Sequence, residues 1–477
     1  MSKSTFGEEQ ENPDLMREAF PTFRTIPARF LEIMHAAPAN FLRIPRWLGK
    51  GWKKSWHYLL TAAIIISIPY VALDIYATSQ LNHQLNLIRQ KGEPLTLAEA
   101  APPKVPNDQN AAILYERAAK ALKLKLKIKY APEDLSQRET QFILAQNIAT
   151  IKLIREATAK PQCRFDLNWQ DVPGTALVST ETEPMRNLFR LLQLQTRYEA
   201  QTGNKAQALK DIQSMFLMVR HLSGEPLVWS SFTALEMDKD ANDTLAKVLL
   251  HVSLSPTQAR QFEASLPVID WKDVVHRFLL TERASNIEMF QLNIPISQWK
   301  ENNPFLDFPD RYIWYSECAI KPLRKLDEAR ALSFWPELLL NAKSVPISRV
   351  IDYGSRINER VQHTPWYNLL TKMSIEVYPQ VRNNFDKSEV RRREREIALA
   401  LNAYRSQYRK YPVTLQEAET FWKSTFPLDP YSSKSFRYKS KGSTFLLYSV
   451  GMDGNDDGGK WRESSGSFIQ QDIVWGH

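Results

Sequence analysis

A run of oxygen-bearing side chains near the C-terminus has the spacing of a calcium-binding loop. Asp453, Asn455, Asp457 and Gly458 form the pattern D-x-N-x-D-G, the first half of an EF-hand-like loop. Alternate positions direct hard oxygen ligands towards one centre, and glycine permits the sharp turn that follows. The pattern predicts a calcium site of the low-affinity, extracellular kind.

The second half of this loop departs from an EF-hand. Its twelfth position is Ser464, where an EF-hand carries a bidentate Glu. We expect Asp472, which precedes a strand-like segment, to supply the missing carboxylate. The alternative is an ordinary Asp- and Gly-rich turn that binds no metal.

No other group of residues in the sequence points to catalysis. The histidines are scattered, and there is no HExxH, no Gly-rich phosphate loop and no GxSxG elbow. Glu225 and Glu282 are single carboxylates of the kind that is usually solvated or ion-paired. We therefore predict that the protein is not an enzyme. A hydrolase with a dispersed site in the helical region is an alternative.

Composition limits the class of protein. The 477 residues are enough for two or three domains, and 43% hydrophobic with 24% charged residues is ordinary for a globular protein. Because the net charge of +9 is mixed with acidic residues along most of the chain, we expect no nucleic-acid partner. Cys163 and Cys318 are the only cysteines, which excludes a disulfide-rich scaffold and leaves their pairing open.

The elements expected to position the predicted calcium ligands form a small α+β unit. The segment 387–409 has a basic first half and then an apolar helical face, and Tyr411-Pro412 ends it. Strand-like segments follow at 436–440 and 444–450, separated by Lys441-Gly442, which is typical of a hairpin. The terminal DIVW reads as a further strand.

The unit carries a series of short motifs in a fixed order: Tyr404-Arg405, Tyr411-Pro412, Leu415, Pro427, Asp429-Pro430, Phe436, Tyr438, Tyr448 to Gly454, Gly458-Gly459, Asp472-Ile473 and Trp475. Their order and spacing give the unit a resemblance to the C-terminal domain of the major pseudopilin of type II secretion systems. It implies a helix packed on a small antiparallel sheet, with a calcium ion that orders the end of the sheet. Asp453 and Asp472 match the acidic loop positions of the family.

The resemblance covers less than a fifth of the chain and does not extend to the segments that precede this unit. Pseudopilins carry their hydrophobic segment directly before this domain and begin with a short cleaved leader. Here the apolar segment lies far upstream and the sequence shows no such leader. We therefore do not expect assembly as a pilus-like subunit.

The apolar segment 56–73 predicts a transmembrane helix. It contains no acid, lysine or arginine, it approaches the length that spans a bilayer, and aromatic residues bracket it. Basic residues precede it, whereas the following flank is neutral apart from Asp74 until Arg89. The charge asymmetry predicts a cytoplasmic N-terminus and a bulk that is periplasmic, with the chain in a bacterial inner membrane. A buried core helix is the alternative.

The remaining segments predict helices and connectors. The arm 1–55 is basic, aromatic and interrupted by prolines, and suits either an anionic leaflet or a partner. Helical spacing recurs at 109–124, 136–158, 182–202, 205–222, 231–251 and 256–266. The stretch 198–216 resembles one tetratricopeptide hairpin without a second copy. Aromatic residues between 299 and 367 either mark an interface or pack on the helices, and we favour packing.

The fold class predicted is mainly α, with a single transmembrane helix, an extracytoplasmic helical domain and a small C-terminal α+β domain. The predicted divisions are 1–55, 56–76, 77–385 and 386–477. We expect a membrane-anchored envelope protein that binds the lipid bilayer and other envelope proteins, linked by resemblance to secretion or pilus-type machinery. An accessory subunit of a large membrane complex is the other alternative. The sequence does not specify the oligomeric state.

Overall fold

The computed structural model describes residues 52–123, 135–169, 180–291, 321–376, 378–460 and 472–476. The N-terminal arm up to residue 51, Cys318, Ser464 and the aromatic residues between 299 and 315 lie outside these ranges. The described part is mainly helical, as predicted. Its helices are α1 (Trp52–Gln90), α2 (Leu97–Ala100), α3 (Ala112–Ala121), α4 (Gln137–Gln146), α5 (Ile148–Thr158), α6 (Thr182–Gln201), α7 (Lys205–Leu222), α8 (Val228–His251), α9 (Pro256–Ser265), α10 (Trp271–Gln291), α11 (Lys321–Lys343), α12 (Val350–Gln362), α13 (Leu369–Ile375), α14 (Tyr378–Tyr408) and α15 (Leu415–Trp422).

Helix α1 has two halves with different surroundings. Among the described residues, the stretch Leu60–Gln90 is the one helix long and apolar enough to cross a membrane. The large apolar side chains between Tyr58 and Tyr76 are mostly exposed, whereas Ala77, Leu85 and Ile88 are buried in the protein core. The helix therefore passes without a break from an exposed apolar half into the folded body.

Helix α11 packs along the buried half of α1. Lys325, in the first turns of α11, contacts Asp74 and Thr78, and the buried stripe on α1 continues from there to Ile88. Because this stripe lies on the C-terminal side of Asp74, α11 runs in the same direction as α1. The end of α1 is also held, since Glu93 pairs with Arg283 of α10 across 2.5 Å.

The helical middle follows the predicted pattern closely. Helices α6 and α7 form the hairpin expected from Thr202-Gly203-Asn204, and Gly203 has a φ of +88°. Ser255 and Gln258 form the predicted capping box at α9. The region predicted as one helix at 136–158 is two, because Asn147 turns its side chain back onto the carbonyl of Ile143 and ends α4.

Helix α14 connects the helical region with the C-terminal unit. It begins at Tyr378 rather than at the predicted 387, and Pro379 lies in its first turn, where proline is tolerated. The predicted division between 385 and 386 falls inside this helix. Asn402 donates from Nδ2 to the carbonyls of Leu249 and Val252, so the second half of α14 is fixed to the end of α8.

The sheet has the predicted strands: β1 (Arg437–Lys441), β2 (Thr444–Ser449) and β3 (Ile473–Val474), paired antiparallel in the order β1-β2-β3. Leu447 of β2 and Phe436, which immediately precedes β1, belong to the same continuous apolar core as the helices. The C-terminal unit thus packs on the helical region and shares its core.

The contacts of α14 indicate where this unit lies relative to α1. Helix α10 runs towards the start of α11, since Arg324 donates to the carbonyl of Phe290 across 2.9 Å. Tyr378 bonds Glu282 of α10, and seven residues later Phe385 contacts Trp271, closer to the other end of α10. Helix α14 therefore leads away from the exposed apolar half of α1, and the sheet lies at the far end of the body.

Candidate functional site

Strands β2 and β3 position the predicted calcium ligands. The loop 451–460 follows β2, and Asp472 immediately precedes β3, which pairs with the end of β2. Gly451, Gly454, Gly458 and Gly459 all have positive φ, a conformation that glycine adopts without strain. These glycines let the loop fold back towards the end of β2 and the start of β3. Asp472 lies there, one residue before β3.

Asp472 is the buried centre of this site. Its residue is only 3% exposed, and its Oδ2 accepts a hydrogen bond from the amide of Gly459 at 2.7 Å. Its Oδ1 is buried and has no hydrogen-bond partner among the described residues. Burial raises the pKa of this carboxyl, and the negative charges of Asp456 and Asp457 raise it further. An orphaned buried oxygen in a field of like charges favours a bound cation.

Asp453 and Asn455 lie on the exposed side of the same loop. Oδ1 of Asp453 accepts from the amide of Asn455 at 3.1 Å, and its Oδ2 lies 3.3 Å from Nδ2 of the Asn455 side chain. The two predicted ligands therefore contact each other, as in an Asx turn. Both remain exposed to solvent, so ligation requires them to exchange these bonds for a cation.

Asp456, which the D-x-N-x-D-G pattern treats as a filler position, attaches the loop to the sheet. Its Oδ1 accepts from the hydroxyl of Tyr448 at 2.8 Å, and its Oδ2 lies 2.9 Å from Nε of Arg437. The hydrogen bond from Tyr448 is the largest cause of the lowered pKa of this carboxyl. Sequence spacing carried no signal for this role, because both partners come from the facing strands.

The four predicted ligands are brought to one end of the sheet but do not form a closed cage. Asp457 lies close enough to Asp472 to influence the pKa of its carboxyl, so these two residues are neighbours. Within the described ranges, no three Asp, Glu, His or Cys side chains are grouped so that they would hold a metal ion. The donor set of carboxylate and amide oxygens and the orphaned Oδ1 of Asp472 nevertheless fit a hard cation such as calcium.

Asp429 supports the base of the loop, a role that the resemblance did not assign. Its carboxylate accepts from the hydroxyls of Ser432 and Ser449, each at 2.8 Å, and from the amide of Tyr431 at 3.0 Å. The neighbouring carboxyl of Glu394 is fully buried, and this burial holds its pKa well above the usual range. Through Ser449, Asp429 joins the end of β2 to the turn at residues 429–432.

A second group of titratable side chains lies inside the helical region. His221 contacts the hydroxyl of Tyr115 with Nδ1 at 2.9 Å and the carbonyl of Lys160 with Nε2 at 3.0 Å. Burial lowers the pKa of His221 to about 4 and raises that of Glu225 to about 7. The expectation that Glu225 is solvated or ion-paired is wrong, since it is 1% exposed and accepts from the amide of Phe165 at 2.7 Å.

The side chains of this buried group are not accessible to a substrate. Tyr115, His221 and Glu225 are each no more than 3% exposed, and both ring nitrogens of His221 already have partners. A catalytic base must reach the proton that it removes, within hydrogen-bond distance or through one water. The group is therefore better explained as polar packing between α3, α7 and the segment around residue 163.

Comparison with known proteins gives no relative for this chain. No protein-family model matches it. No curated protein and no solved structure matches it either.

Proposed function

We propose that this chain is a non-enzymatic, membrane-anchored envelope protein that holds a rigid body outside the cytoplasm and binds partner proteins with it. The observation that supports this most directly is the continuity of α1. Its exposed apolar half has the length of a membrane span, and its other half is buried against α11. A helix that is part of the core cannot act as a flexible tether. The body would therefore keep a fixed orientation relative to the bilayer.

The orientation follows from charge. Arg43, Arg46, Lys50, Lys53 and Lys54 precede the apolar half, whereas Asp74 is the first charge after it. Because positive residues are usually retained in the cytoplasm, this asymmetry supports an extracytoplasmic position for the body. In this orientation the C-terminal sheet lies at the end of the body that points away from the bilayer, where a partner in the envelope could reach it.

Calcium is the cofactor that we assign to the loop 451–460. Asp472 and Asp457 would provide carboxylates, with Asp453 and Asn455 supplying further oxygens. The ion would neutralise the buried carboxylate of Asp472 and order the loop at the end of β2. Extracellular modules bind calcium with dissociation constants of about 0.1 to 1 mM, which suits the environment outside the cell.

Purification of the full chain from its own membranes under mild detergent, after brief crosslinking, tests the partner assignment. Components of a secretion or pilus-type machine in the eluate support the proposal. A stable energy-transducing complex instead supports the alternative of an accessory subunit. A matched preparation in which Asp472→Asn replaces the loop carboxylate shows whether the C-terminal unit is the binding surface, since partners held there are then lost.

A further inference from the structure

The loop between α12 and α13 carries two adjacent aromatic side chains, of which Trp366 is exposed and Tyr367 is half-buried. Trp366 is 63% exposed, and its ring lies 5.8 Å from that of Tyr367 in an edge-on arrangement. The prediction that the aromatic residues of this region pack on the helices holds for Trp335, which is 1% exposed, and is wrong for Trp366. Exposure alone would need no explanation, so what decides the role of this ring is where the loop lies in the fold.

The position of this loop is fixed by Asp327 of α11. The carboxylate of Asp327 accepts from the amides of Leu370 and Thr371 at 2.9 and 3.0 Å, and from Nδ2 of Asn368 at 3.3 Å. It thereby caps the start of α13 at Leu369, three residues beyond Trp366 and two beyond Tyr367. The aromatic pair is held at the level of Asp327 along α11.

This level coincides with the end of the apolar half of α1. Lys325, two residues before Asp327, reaches Asp74, and two residues of helix correspond to about 3 Å along the axis. Helix α12 also runs towards this level, because Arg360 near its end pairs with Glu337 and the chain then continues to Asp327. The loop 363–368, which joins α12 to α13, therefore lies near the end of the exposed apolar half of α1.

We propose that Trp366, with the half-buried Tyr367 beside it, inserts into the headgroup layer of the leaflet from which α1 emerges, as a second membrane contact of the body. Tryptophan and tyrosine concentrate at this depth because they combine an apolar ring with a polar group. Exposed Lys321, at the start of α11, lies at the same end and offers an ammonium to lipid phosphates. The inference rests on the proposed membrane crossing of α1 and specifies how the body is seated.

The test uses the full chain in vesicles of phosphatidylethanolamine and phosphatidylglycerol. A photoreactive benzoylphenylalanine replaces, one at a time, Trp366, Tyr70 and Tyr408. Tyr70 lies in the exposed apolar half of α1, and Tyr408, which is 48% exposed, lies at the far end of α14. All three sites are exposed and aromatic, so the substitution leaves the core intact. After irradiation, the lipid adducts are identified by mass spectrometry.

Lipid adducts at positions 70 and 366, with none at 408, support the proposal. Lipid adducts at position 70 alone overturn the proposed contact of the loop 363–368 with the bilayer, but remain consistent with a membrane crossing by α1. If position 70 gives no lipid adduct, the proposed function itself fails. A protein adduct at 366 also overturns the proposal, because it identifies a polypeptide as the cover of Trp366.

Discussion

Lys325 donates from Nζ to Oδ1 of Asp74 across 2.7 Å and to Oγ1 of Thr78 across 2.9 Å. Two residues separated by 251 positions are thus joined where the exposed apolar half of α1 meets the folded body. The pair connects the membrane helix to the helix that packs along it.

Replacing Lys325 with Met removes the bond and leaves the Asp74 carboxylate unpaired at this boundary. Both side chains are about a third exposed, so the expected loss in the free energy of unfolding is about 1 kcal/mol. Lys325→Arg keeps the charge and should retain most of the stability. Denaturant unfolding of the detergent-solubilised chain measures both variants, and equal stability of the Met variant and the unaltered protein would count against the role of the pair.

The pair between Arg283 and Glu93 should contribute more, because it is less exposed. The Arg283 side chain is 2% exposed, and Glu93→Gln removes the charge that compensates it. We expect a loss of about 3 kcal/mol, as found when one partner of a buried ion pair is removed. The control is Glu337→Gln, whose partner Arg360 has a side chain that is 52% exposed; it should lose less than about 1 kcal/mol. Similar losses for the two variants would contradict the prediction.

Stability should decrease as the pH rises from about 4.5 to 7. Burial raises the pKa of Glu225 from 4.5 to about 7, so in this range the folded state holds a proton that the unfolded state has released. The free energy of unfolding then falls by up to about 1.4 kcal/mol per pH unit for this group. Glu225→Gln stays neutral and should flatten the profile. An unchanged slope in this variant would show that other buried acids, such as Asp327, govern the pH dependence.

Calcium should raise the melting temperature of the full chain, and Asp472→Asn should abolish the rise. At a calcium concentration ten times the dissociation constant, binding contributes about 1.4 kcal/mol. Asp352→Asn, which removes an exposed acid from α12, is the control and should respond as the unaltered protein does. A calcium-dependent rise that survives in the Asp472 variant would place the ion elsewhere.

Features encoded in neighbouring residues were predictable from the sequence. The capping box of Ser255 and Gln258 and the turn at Gly203 each depend on a few adjacent positions. The hairpin of β1 and β2 likewise follows from the Lys441-Gly442 turn between alternating segments. In each case the physical cause lies within one or two turns of chain, where spacing and side-chain type are sufficient.

Features that depend on distant partners were not predictable. Nothing near Asn147 in the sequence indicates that its side chain ends α4, and nothing near Tyr378 indicates that α14 starts there. The burial of Asp472 and the attachment of Asp456 to Tyr448 arise only when strands pair across the loop. The start of α13, next to Trp366, is likewise capped by Asp327, a residue from another helix.

The central claim is that α1 crosses the membrane and holds the body on the extracytoplasmic side. Cysteine substitutions at Ser4 and Val413, each in a background with Cys163 and Cys318 replaced by Ser, test it with a membrane-impermeant maleimide on spheroplasts. The account predicts labelling at position 413 in intact spheroplasts and at position 4 only after lysis. Labelling at position 4 in intact spheroplasts, with position 413 protected until lysis, would contradict it.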